Sequence, residues 1–181
     1  MNEKNERCSS CFLSSKEEKS RAIVNAVFEN LLFSAILFLG AFLISFYSTK
    51  YAFLYIAFSF VMLVFVLRKH LCTNCDYFGK WCHCGWGKLS SFLHYKKNSG
   101  NKTLGGIMAM ITWGIIMGLP IIVFARHFFG IENAEEFLSE TAFFIPFLIL
   151  VMANLLLHYK NCLGCTMKKN CALSFVAMLK K

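Results

Sequence analysis

The chain has 181 residues, of which 57% are hydrophobic and 16% charged, with a mean hydropathy of +0.54; this excludes a soluble domain of that size, whose surface needs more polar cover. A net charge of +9 could suit nucleic acid, but no basic patch interleaved with aromatic residues is present, so nucleic acid is not expected as a partner. Closed barrels need strands of about ten residues alternating in polarity, whereas the apolar runs here are continuous, which leaves an all-α integral membrane protein.

The head, residues 1–21, is polar, mixes both charge signs and carries the pair Cys8 and Cys11. A transmembrane hairpin is expected over 22–67, built from apolar runs at 22–47 and 51–67 and turned at Ser48, Thr49 and Lys50. The first run is far longer than a signal-peptide core of about 7 to 15 residues and lacks an A-x-A cleavage pattern, so it is expected to stay in the mature chain. Asn25 and Glu29 lie one turn apart on it, and Glu29 is close enough to the inner rim to be read as snorkelling toward water. A soluble, cysteine-rich segment follows at 68–103. A second hairpin is expected over 104–157, from runs at 104–125 and 141–157, with Pro120 and Pro146 kinking its helices. The tail, 158–181, returns to polar residues and more cysteines.

A span needs about 20 residues, with about 17 as the lower limit, so the runs form a four-transmembrane-helix bundle in which the second and fourth spans stand nearly upright. All but two of the 19 Lys and Arg residues fall in the head, the 68–103 segment and the tail, leaving Lys50 and Arg126 on the opposite side. By the positive-inside rule, both termini and the central segment are cytoplasmic, with the protein in the plasma membrane. The basic rim also suits anionic lipid head groups. Gly114 and Gly118 form a small-xxx-small face for packing within the bundle or for a homodimer.

The second and fourth runs align without gaps, placing Cys72 over Cys162 and Cys75 over Cys165, and one gap later Cys82 over Cys171. This register predicts two parallel helical-hairpin repeats related by an axis along the membrane normal.

All nine cysteines fall on the expected reducing side, where thiols serve metals rather than disulfides. Cys72, Cys75, Cys82 and Cys84 lie within thirteen residues, and C-x2-C lets two sulfurs meet one ion. Gly79, Gly85 and Gly87 would permit close backbone approach to it. The second cluster, Cys162, Cys165 and Cys171, needs a fourth ligand from His158 or from Cys8 or Cys11. Zinc and an iron–sulfur cluster both accept four thiolates, and the choice between them stays open. S-palmitoylation and simple burial are the bland alternatives for these thiols. His70 and His158 at helix ends also invite a bis-histidine haem, which would need matching depth in the bundle.

These features point to a membrane-anchored redox or electron-transfer component, working with a redox partner or a larger membrane complex. A soft-metal (copper or zinc) transporter or sensor, and a zinc-stabilised scaffold without catalysis, are the alternatives. A thiol–disulfide enzyme working on the outer face is set aside because every thiol falls inside.

Overall fold

Each apolar run is helical because a segment in hydrocarbon must satisfy its own backbone N–H and C=O groups, and a helix does so within one segment. The computed structural model describes residues 16–82, 84–128 and 134–164. Among these the regular elements are all helical: α1 (Lys16–Tyr47), α2 (Thr49–Val61), a π-helical segment (Met62–Val66), α3 (Leu67–His70), a 3-10 turn (Cys72–Asn74), α4 (Trp86–Phe92), α5 (Lys102–Phe128) and α6 (Ala134–Gly164). Four stretches are long and apolar enough to cross a membrane: Ile23–Tyr47, Thr49–Asn74, Lys102–Arg126 and Leu138–Asn161. The protein itself covers only 17–33% of their apolar windows, so the bulk of that surface is left for lipid.

The second and fourth spans are longer than the apolar runs suggested, 26 and 24 residues. Helix continues past the hydrocarbon-compatible stretch into Arg68, Lys69 and His70 at one end and His158, Tyr159 and Lys160 at the other. Neither span is at the length limit, and neither has to stand upright. The helices run through Pro120 and Pro146 rather than ending there.

Helix α1 is the hub, packing along α2, α5 and α6, while α5 and α6 touch each other less. Phe33, Ile36 and Leu43 of α1 meet Leu63 and Leu67, Ala109 and Ile116 of α5, and Phe147 and Val151 of α6 in one core. A second cluster of Ile44, Ala52 and Tyr55 closes the turn end. There Gly40 is required: a Cβ would sit 2.7 Å from the Tyr55 hydroxyl, which donates to the Ile116 carbonyl at 2.9 Å. Hub packing of this kind lends no support to paired parallel repeats. The aligned cysteines also differ locally, since Cys72 begins a 3-10 turn whereas Cys162 lies inside the last turns of α6. Among the described residues, nothing lies within 4 Å of where a Cβ on Gly114 or Gly118 would be, so neither glycine is needed for close helix approach there.

The parts that matter gather together. Glu29 and Asn30 in the middle of α1, the end of α3, the start of α5 and the end of α6 are drawn together with the cysteine-rich segment.

Candidate metal centre

The segment after α3 is held by its own polar groups. Thr73 Oγ1 donates to the Lys69 carbonyl at 2.5 Å, and Asn74 Nδ2 donates to the carbonyls of His70 and Gly100, each at 2.9 Å. His70 Nδ1 accepts the Asn101 N–H at 3.1 Å, and Asn101 in turn caps α5 by accepting the Leu104 N–H. This ties His70, the last residue of α3, to the start of α5 through its Nδ1. The glycines serve the chain rather than an ion. Gly85 takes a left-handed conformation, φ 70°, to start α4. A Cβ on Gly87 would fall 2.2 Å from the Tyr77 carbonyl oxygen.

Asn30 of α1 clasps this segment to the bundle. Its amide donates to the carbonyls of Ala26 and Cys84, and its oxygen accepts the Trp86 indole N–H at 3.1 Å. The clasp brings Cys84 onto the neighbouring Glu29, whose Oε2 accepts the Cys84 thiol hydrogen at 3.0 Å. On its other oxygen Glu29 accepts a hydrogen bond from Asn161 of α6. One turn before Asn161 stands His158. Ligand atoms of Glu29, Cys84 and His158 all lie within 4.8 Å of one another. Zinc with S, N and O ligands at about 2.0–2.3 Å spaces those atoms about 3.3–3.8 Å apart, so movements of an ångström or less would complete the site.

Glu29 is only 7% exposed; it faces inward and does not snorkel. Among the described residues no Lys or Arg pairs with it, and its partners are a thiol and an amide. Burial first, then the adjacent carboxylate, push the Cys84 thiol well above its ordinary pKa, holding it protonated. The donor set suits a dication: a carboxylate and a thiolate cancel its charge, and a neutral imidazole adds a third donor.

Of the other described thiols, Cys72 and Cys82 are within electrostatic reach of Cys84 and of each other, and Cys75 of Cys72. The guanidinium of Arg68 is within electrostatic reach of Cys72, Cys82, Cys84 and Tyr95. Cys72 is in hydrogen-bonding reach of Ser90, and Cys82 Sγ accepts the Gly87 N–H at 3.5 Å. Cys72, Cys75, Cys82 and Cys84 are outside any disulfide among the described residues, and the first three are not part of the close trio. Only the backbone of Cys162 is described; Cys8, Cys11, Cys165 and Cys171 lie outside the described residues.

Of the ten ligands expected from sequence, the fold thus brings Cys84 and His158 together and adds Glu29. Asn30, Arg68 and Asn161 were missed as site residues. The adjacent polar pair Glu29–Asn30 inside an apolar run was the available signal for the α1 contribution.

Compared with known proteins, the chain matches no family model, no curated protein and no solved structure.

Proposed function

We propose that this is a multi-pass membrane protein that binds one zinc ion at the inner end of its bundle through Glu29, Cys84 and His158. The supporting observation is the convergence of those three donors, drawn from α1, the cysteine-rich segment and α6, around a buried carboxylate. A mixed oxygen, sulfur and nitrogen set is characteristic of zinc, whereas calcium and magnesium take oxygen ligands and iron–sulfur clusters take thiolates. The ion would join three chain segments far apart in sequence, as a structural or sensing centre, and three protein ligands leave a fourth position for water.

We favour zinc over an iron–sulfur cluster because the Cys84 thiol donates to Glu29, a carboxylate that would have no place in an all-thiolate set. Both termini and the cysteine-rich segment belong on the cytosolic side in this reading, following the distribution of Lys and Arg. The test is metal analysis and an optical spectrum of full-length protein purified without oxygen. One zinc per chain, no visible colour, and loss of metal in Cys84→Ser and His158→Gln but not Cys75→Ser are expected. Iron with sulfide and broad visible absorption, lost on changing Cys72 and Cys75, would overturn the assignment.

A further inference from the structure

Beside the metal centre, and sharing Cys84 with it, a groove of about 570 Å³ opens between α1 and the cysteine-rich segment. That volume is within the range, about 300–1,000 Å³, of sites that take small molecules. One wall is apolar and faces outward: Val27 and Leu31 of α1, the latter 65% exposed, and Phe92 at the end of α4, 75% exposed. The other wall carries Arg68, Lys88 and Trp81.

Arg68 is the unusual member. It is 5% exposed, its guanidinium lies 4.7 Å from the centre of the Trp86 ring, and it reaches the Trp86 carbonyl only at 3.5 Å. Its buried Nε has no hydrogen-bond partner, and among the described residues no carboxylate pairs with it. A buried charge without a counter-ion is costly, so this position calls for an anion. Among the described residues no acidic one lines the groove.

The groove's position specifies what kind of anion. Ala26 to Ser34 belong to the first span, Ile23–Tyr47, whereas Trp81 and Lys88 lie in the polar segment beyond it. The groove therefore crosses from apolar helix to basic rim, as the boundary between acyl chains and head groups does. We propose that it seats one anionic phospholipid, its phosphate between Arg68 and Lys88 and an acyl chain along Val27 and Leu31. A zwitterionic head group fits less well, since its ammonium would lie beside Lys88 with no carboxylate to receive it.

Native mass spectrometry of the full-length, detergent-purified and metal-free protein, titrated with phosphatidylglycerol or phosphatidylcholine, tests this independently of zinc. One phosphatidylglycerol per chain is expected, held about tenfold more tightly than phosphatidylcholine. Lys88→Gln, at an exposed position that leaves the fold intact, is expected to weaken phosphatidylglycerol about fivefold. Leu31→Trp, which fills the apolar wall, should weaken both lipids. Lys97→Gln, exposed and outside the groove, should change neither. Equal binding of the two lipids, equal effects of Lys88→Gln and Lys97→Gln, or displacement by millimolar inorganic phosphate as effective as by lipid would each overturn the proposal; the last would leave a small-anion site only.

Discussion

Glu29 carries the most information per atom in this protein. A carboxylate buried within a membrane helix, bonded to a thiol and an amide, is costly to keep ionised unless a cation arrives. Glu29→Gln keeps the shape and replaces the charge by an amide, which gives an asymmetric expectation. The metal-free variant should melt no lower than the parent, while zinc affinity falls by at least about tenfold; thermal unfolding with and without zinc measures both. Proton linkage has a definite sign as well. The Cys84 thiol is held protonated by burial and by Glu29, so zinc must displace that proton. Affinity should rise with pH, and calorimetry in buffers of different ionisation enthalpy should show proton release on binding, a release that is lost in Cys84→Ser. Sequence alone flagged Cys84 and His158 because their residue types bind metals. It misread Glu29, because distance from the rim says nothing about which way that face of the helix is turned.

The elements are joined by a few polar contacts whose loss should be local. Asn30 links α1 to the cysteine-rich segment through the Cys84 carbonyl and the Trp86 indole. Asn30→Ala leaves both of those groups without their partner, at a cost of about 1–3 kcal/mol. The loss should appear as faster amide exchange at residues 84–90 and weaker zinc binding, with the four spans still protected. Gly87→Ala should be at least as damaging, since a methyl group cannot share space with the Tyr77 carbonyl 2.2 Å away; a lowered melting temperature checks it. Helix identity was legible because four long apolar runs have few alternatives in a membrane. Their ends were not, since helix persists through Arg68 and Lys160 after hydropathy has fallen. The cysteine register that suggested a repeat matched residue types across a 3-10 turn and a continuing helix, two conformations that spacing does not distinguish. The glycines of the cysteine-rich segment were read as room for an ion, but close backbone contact and a left-handed turn account for Gly87 and Gly85.

At the scale of the whole molecule, the bundle places its chemistry at one end and its tight turn at the other. The Ser48 turn between α1 and α2 lies at the end of the bundle remote from Glu29, and Thr49 there is exposed. By sequence, seventeen of the nineteen Lys and Arg residues fall in the head, the 68–103 segment and the tail, and each would resist transfer across the bilayer, whereas the other loops have only Lys50 and Arg126 to oppose it. That asymmetry predicts opposite accessibility for the two ends. In intact cells or right-side-out vesicles, an impermeant maleimide should leave the parent protein unlabelled although it has nine cysteines, and Thr49→Cys should add one reactive site. Opening the membrane should then expose Cys75 and its neighbours to the same reagent. Labelling of the parent from outside, with Thr49→Cys adding nothing, would invert the protein, moving the Glu29, Cys84 and His158 site to an oxidising face. Disulfide formation would then compete with zinc for Cys84, and the metal assignment would have to be withdrawn with the orientation.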